Sequence, residues 1–423
     1  MSQKLLSEQV MFYSMSKELS NFVQIRTEFD EEIDKGVLEG ALKQAIVRYP
    51  YFKVKTAREE EELVLEENTA PLCVYDDADA PTLEPEKNQD YLFRVSAAGK
   101  MINISFLHAI ADGGGFMPFV KTIFYYYWLQ KTGQPPQMPD VHLAGDAIPE
   151  GELRDWMADF DEHQKMRTLS EKEENPFVLP VQKDPDRRVF VFTFTMDSHV
   201  FMKYSQEIDG SPNAIMALFM SRAIHKIHPD AENIIAGVAA NFRKASGNLL
   251  GYRDNIGLLK LPYPPKMDQM EITTCATCAR GSIILQSDDE VVRAGLVKSK
   301  QFTQYIQSLP TLEEKCRISS YAVMKGSGCV TFSVSYVGKQ DYGELNDHIR
   351  FMGVVADVNL MPLEIEVMAM GEQFYITIGQ NFADDVYVKG LIAGLEEEGI
   401  TCRDYRNYTL PYEYGPEWGL KCL

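Results

Sequence analysis

Two periodicities alternate along this chain, and their order limits the folds open to it more than any other feature. Residues 34–49 carry Val37, Leu38, Ala41, Leu42, Ala45, Ile46 and Tyr49 at three- and four-residue steps. That is the spacing of an amphipathic helix, and Pro50 ends it. Residues 91–97 and 101–107 then switch to a strand pattern, joined by a tight turn at Ala98-Gly99-Lys100. Side chains alternate along a strand, so Ile102, Ile104 and Phe106 share a face with His108 at its end. Gly113, Gly114 and Gly115 break the chain next, and an apolar, aromatic-rich helix is predicted over about 116–130.

The Pro- and Gly-rich residues 131–149 read as loop. A second polar, proline-containing stretch marks a crossover, which divides the chain into an N-terminal subdomain 1–170, a linker 171–188 and a C-terminal subdomain 189–423. After it come a strand over 189–196, a helix over 212–227 and a strand over 234–240. Helical segments fill much of 268–307. Strands over 329–337, 354–359, 363–368 and 374–380 follow, with a helix over 384–397. Both parts mix strands and helices, which predicts an α/β or α+β architecture. At 423 residues the chain exceeds one small domain, and no short-period repeat points to a solenoid.

Charge narrows the partners. With 42 basic and 62 acidic side chains the net charge is −20, which disfavours nucleic acid and anionic lipid surfaces. An anionic cofactor would need a local basic patch. No window approaches the roughly 18 uninterrupted apolar residues of a transmembrane segment, and the first residues lack a signal-peptide core, so a cytoplasmic protein is expected. The seven cysteines (73, 275, 278, 316, 329, 402, 422) are odd in number and scattered, as suits a reducing compartment. Cys275 and Cys278 form a lone C-x-x-C without a second pair, and read as a plain helical pair rather than a metal site. His225 and His228 fit one helix face but lack a carboxylate at ligand spacing, so a solvated or capping role is expected. No metal is anticipated. Gly326-Ser327-Gly328 lacks the frame of a nucleophile elbow, and the glycine run 113–115 lacks a dinucleotide or Walker pattern.

The chemistry concentrates at His108. An imidazole is the side chain best suited to proton transfer near neutral pH. By itself, a histidine beside an apolar strand is more often a satisfied core residue than a catalytic one. Its surroundings add more. The run His108-Ala109-Ile110-Ala111-Asp112-Gly113 closes one strand and opens a helix. It resembles the His-x-x-x-Asp-Gly signature of the chloramphenicol-acetyltransferase-like superfamily. That group includes alcohol acetyltransferases, plant acyltransferases of the BAHD type, polyketide-associated acyltransferases and peptide-synthetase condensation domains. Ile33-Asp34 with the helix to Arg48-Tyr49-Pro50-Tyr51-Phe52 is similar to the opening helix of these proteins. Asn241-Phe242-Arg243-Lys244 resembles their Asn-x-Arg segment, and Ser335-Tyr336-Val337-Gly338 their late Ser-Asn-x-Gly segment, with Tyr336 in place of Asn. The resemblance is closest to the alcohol acetyltransferase branch. Leu107 stands where condensation domains carry a second histidine, and no Asp-Phe-Gly-Trp-Gly motif of the BAHD type is present.

The resemblance implies two subdomains, each a mixed sheet with helices, and a channel between them with His108 at its middle. It implies acyl-CoA as donor and a small molecule with a hydroxyl or amine as acceptor. Transfer from an acyl carrier protein, or condensation, is the alternative within chemistry. A non-catalytic binding relative of the same fold is the alternative outside it. His108 would be the general base. Asp112 would either orient His108, as in a hydrolase triad, or pair with Arg243 to hold the loop that positions the base. Gly113 would supply backbone freedom. Ser335 is the candidate oxyanion donor, which must lie about 3 Å from the developing charge; its other reading is a strand residue bonded locally. Arg243-Lys244 and Lys298-x-Lys300 are candidates to receive coenzyme A phosphates.

Overall fold

Residues 35–45 wind into a helix because Asp34 caps it, its carboxylate accepting from the backbone N–H of Val37. The computed structural model describes residues 3–16, 19–77, 83–170, 175–358 and 361–411. Residues 171–174 of the expected linker, residue 359 of the expected strand 354–359, and Cys422 lie outside the described residues. The Lys35–Ala45 helix ends earlier than its apolar pattern. The chain tightens into a 3-10 turn at Pro50–Phe52, and Arg48 there is drawn into a two-pronged pair with Glu152 at 2.8 and 2.9 Å.

Two mixed sheets organise the chain. The five-stranded sheet runs in the order Ile349–Ala356, Phe22–Phe29, Met101–Leu107, Phe93–Ala98, Val74–Tyr75, antiparallel except at the last pair. The seven-stranded sheet runs Ile256–Tyr263, Ile234–Asn241, Phe332–Gln340, Leu363–Met370, Gln373–Gln380, Val189–Asp197, Arg403–Leu410, with parallel ladders on both sides of Phe332–Gln340. A small third sheet joins Gln3–Lys4, Glu62–Glu67 and Val54–Glu59. The fold is thus mixed α/β, with two sheet-bearing bodies.

Each body has its own core. In the first, Ile25, Phe29, Ile104 and Phe106 share one face of the sheet and pack under Leu38, Leu42, Phe116 and Phe119 of the helices Lys35–Ala45 and Gly113–Thr132. In the second, helices Pro212–Ile227 and Val386–Glu397 cover one face of the seven-stranded sheet, against Phe332, Val334, Leu363, Ile365 and Val367. Strand alternation sends the intervening side chains the other way. Met368, Met370, Val189, Val191 and Tyr375 accordingly belong to the first core. The back of the second sheet therefore meets the first body.

Several elements differ from the sequence reading. Phe22–Phe29, the second strand of its sheet, was not anticipated, because Gln24, Arg26 and Thr27 are buried along it and blur the alternation. The expected strand 354–359 is Ile349–Ala356, and it pairs with Phe22–Phe29 in the first sheet although it lies within 189–423. The strand expected at 329–337 runs Phe332–Gln340. Two edge strands carry no alternating signal: Ile256–Tyr263 is apolar on both faces and contains Pro262, and Arg403–Leu410 is mostly polar and exposed.

Candidate active site

The strand Met101–Leu107 delivers His108 to the sheet's end, where its backbone N–H donates to Asn21 O at 2.9 Å. The next four residues turn, and Asp112 caps the helix Gly113–Thr132 by accepting from Gly115 N at 2.8 Å. The helix starts three residues earlier than predicted: cap and tertiary packing override the weak helix propensity of glycine. Its glycines are not equivalent. A methyl at Gly115 would overlap the carbonyl oxygen of Tyr252, whereas one at Gly113 would meet only Val337 at 3.9 Å. Gly113 does not adopt a positive φ. The freedom expected at Gly113 is thus not required there; the steric demand falls on Gly115, where two backbones touch.

Asp112 is fully buried and saturated. Arg243 donates to both of its oxygens, at 2.8 and 2.7 Å, and Asn255 N donates at 3.0 Å. Arg243 also donates to the carbonyls of Gly251 (2.8 Å) and Arg253 (3.0 Å). The pair therefore clamps the loop 248–255 of the second body against the helix start of the first. Tyr51, from the Pro-aromatic step, stacks on Tyr252 of that loop at 3.9 Å between ring centres.

The clamped loop carries a residue that sequence reasoning missed. Asp254 places Oδ2 3.5 Å from His108 Nδ1, near enough for a charge pair but longer than a good hydrogen bond. Nδ1 is buried without a hydrogen-bond partner, while the ring as a whole keeps 27% of its surface open. The contact with Asp254 is made by Nδ1, which leaves Nε2 free of that carboxylate. Burial alone would lower its pKa, but the charges of Asp254, Asp112 and Glu364 outweigh burial and push it up to about 9.

Ser335 lies on the back face of the second sheet, in register with Glu366 of the neighbouring strand; Ser333 pairs likewise with Glu364. Both glutamates act electrostatically on His108, so this face looks onto the imidazole. Burial raises both carboxyl pKa values well above the usual range, and the charge of Glu364 raises Glu366 further. A signal for them existed in the sequence: two acids two residues apart in an otherwise apolar strand. Asp254 had none, since only the folded loop brings it to His108.

The proposed phosphate receivers fare differently. Arg243 is buried and committed to Asp112, so it is withdrawn from that role. Lys244 pairs with Asp289 at 3.2 Å, and Lys300 with Glu162 at 3.0 Å. Lys298 lines a cavity of about 390 Å³ together with Val10, Met11 and Phe302. Cys275 is buried and Cys278 exposed on the helix Ile272–Gln286. His228 caps its helix and meets Tyr387 Oη at 2.7 Å. His225 is not solvated as expected; it is buried against Asp268, itself hydrogen-bonded by Tyr263. Among the described residues no helix is long and apolar enough to cross a membrane.

This arrangement of sheets is the chloramphenicol-acetyltransferase-like fold, seen in a trichothecene acetyltransferase, an epimerization domain and a condensation domain. The sequence itself matches no protein-family model and no curated protein. Among solved structures, Fusarium graminearum TRI101, complexed with coenzyme A and deoxynivalenol, superposes with a TM-score of 0.60 at 12% identity, over 96% of this chain and 99% of that one. The TRI3 trichothecene 15-O-acetyltransferase of Fusarium sporotrichioides gives 0.58 at 11%, over 93% and 94%. The epimerization domain from the third module of tyrocidine synthetase B gives 0.56 at 9%, over 94% and 96%. At these identities the likeness is one of fold.

Proposed function

We propose that the protein transfers an acyl group from acyl-CoA to a hydroxyl or amine of a small acceptor, with His108 as general base, in the cytosol. One observation carries this reading: an accessible imidazole, set at a strand end by the Asp112–Arg243 clamp, with one nitrogen turned to a carboxylate and the other left open. An alcohol or amine is a poor nucleophile until a base begins to take its proton. Such assistance is worth roughly 10²–10⁴ in rate. Nε2 takes the acceptor's proton as its oxygen or nitrogen bonds to the thioester carbonyl carbon. The C–S bond then breaks, and the proton passes from His108 to the departing thiolate. Asp254 stabilises the imidazolium that exists between the two transfers. Ser335, on the face opposite, is offered as donor to the tetrahedral oxyanion.

The donor assignment draws on the Fusarium TRI101 structures with coenzyme A, which share the fold. Incubating the protein with a panel of acyl-CoAs, with and without alcohols and amines, and following free thiol tests it. His108→Ala should retain its melting temperature to within a few degrees and lower thiol release at least about a hundredfold. Wild-type turnover by that variant, or no acceptor-dependent thiol release by the parent protein, overturns the reading.

A further inference from the structure

We infer that Glu364 and Glu366, flanked by Ser333 and Ser335, form a seat for a protonated amino group on the acceptor. This deepens the acyl-transfer reading and rests on it, because the seat faces His108. The strand Leu363–Met370 turns Leu363, Ile365 and Val367 into the second core. Period-two alternation sends Glu364 and Glu366 to the opposite face, where both act on the imidazole.

Their hydrogen bonding is incomplete. Glu366 is 8% exposed, and its Oε2 is buried without a hydrogen-bond partner. Ser333 is 3% exposed beside Glu364, and Ser335 stands beside Glu366; each hydroxyl acts on its neighbouring carboxyl, and Ser333 Oγ does so at less than good hydrogen-bond geometry. Among the described residues neither carboxyl has a lysine or arginine within ion-pair distance, and the cation acting on both is His108. The Asp112–Arg243 pair shows how this chain answers a fully buried carboxylate, with a guanidinium on both oxygens. Buried polar groups in folded proteins nearly always find partners, and an acid left without one calls for a partner from outside.

The chemistry of that partner follows from what is missing. Burial holds protons on these two acids, and a bound cation would let them ionise against it, so the occupant that fits them brings N–H donors and positive charge. A primary ammonium supplies three donors on a compact cation. A neutral alcohol supplies one donor and no charge, so it gives the buried acids no counter-ion against which to ionise. A guanidinium is planar and matches a single carboxylate side-on, whereas these acids are spaced two residues apart along a strand. The net charge of −20 draws cations toward the protein at long range as well.

Calorimetric titration of the full-length protein, without acyl donor, tests the seat. The probes are butanediamine against butanediol and benzylamine against benzyl alcohol. The wild-type protein should bind each amine at least about tenfold more tightly than its alcohol, and Glu366→Gln should reduce that ratio at least about tenfold. Glu364→Gln, which keeps the Glu366 carboxyl, should reduce it less. Melting curves of both variants verify that they are folded. Equal binding of amine and alcohol, absence of amine binding, or an unchanged ratio in Glu366→Gln overturns the seat. Because no donor is present, these outcomes are independent of the thiol-release assay. Amine preference without acyl transfer overturns the proposed reaction and leaves the seat standing; transfer without amine preference does the reverse.

Discussion

Asp254 stands 3.5 Å from Nδ1 of His108, and the loop that brings it there is the one clamped by Asp112 and Arg243. Two of the acids near the imidazole therefore divide the work. Asp112 is turned wholly toward Arg243, Gly115 and Asn255, which leaves the contact with Nδ1 to Asp254. Of the two arrangements open for Asp112, the geometry is that of the arginine pair.

Asp254→Asn should shift the pH profile of kcat/KM. A base must be unprotonated, and the carboxylates around His108 hold its pKa up at about 9, so the rate of the wild-type protein should climb with pH toward that value. Removing the charge of Asp254 lets burial lower the pKa, and the rising limb should move to lower pH by about one unit or more. An unmoved limb would show that Asp254 does not act on the base.

Asp112→Ala and Arg243→Ala should each lower stability by about 3–5 kcal/mol, since either strands a buried charge. The double variant should lose less than the sum, because it strands neither. Chemical denaturation of the four proteins measures this. Strictly additive losses would mean that the pair is not an energetic unit.

Gly115→Ala and Gly113→Ala should separate clearly. The added methyl at Gly115 meets the Tyr252 backbone, which cannot rotate away, and should cost about 1–3 kcal/mol or more. At Gly113 the methyl has room, and helix propensity favours it by up to about 1 kcal/mol. Thermal melts that rank the two variants the other way would contradict the helix start described above.

Stability should fall as pH rises from weakly acidic to alkaline. His108 has an ordinary pKa of 6.5 and a folded value of about 9, so its contribution is fully present below 6.5 and is lost as pH rises through 9. Glu364 and Glu366 act in the same sense: burial raises them above their ordinary 4.5, so the folded state binds the extra protons and weakens as pH takes them away. His108→Gln should flatten the alkaline part of the curve and Glu366→Gln the near-neutral part. Denaturation midpoints across pH read both. A wild-type curve that rises with pH over this window would refute the assignment.

The sequence made the first body's landmarks legible because they obey local rules. The helix that begins at Lys35 shows its cap and its apolar stripe, and Met101–Leu107 shows its alternation. His108, Asp112 and Arg243 could be singled out through motif residues. Asp254 could not, because a loop reaching from the second body has no local signature. Phe22–Phe29 was hidden for another reason: Gln24 and Arg26 are buried there by tertiary contacts that no pattern announces, Gln24 facing Ser105 across the ladder. Glu364 and Glu366 were visible as acids within an apolar strand, yet only the sheet's orientation shows them facing the imidazole.

The strand Ile349–Ala356 has a mechanical consequence. It follows Phe332–Gln340 of the second sheet, crosses to zip along Phe22–Phe29, and the chain then returns to the second sheet at Leu363–Met370. The two bodies are thus stitched through a shared ladder rather than tethered at one point. Cleaving the backbone between 175 and 188 should leave the fragments bound as one particle, held by a row of main-chain hydrogen bonds. Separating them would require the N-terminal piece to expose Phe22–Phe29 as a raw sheet edge, a surface prone to aggregation. Opening and closing around His108, if it accompanies turnover, must then proceed by bending about this seam, with the two sheets never coming apart.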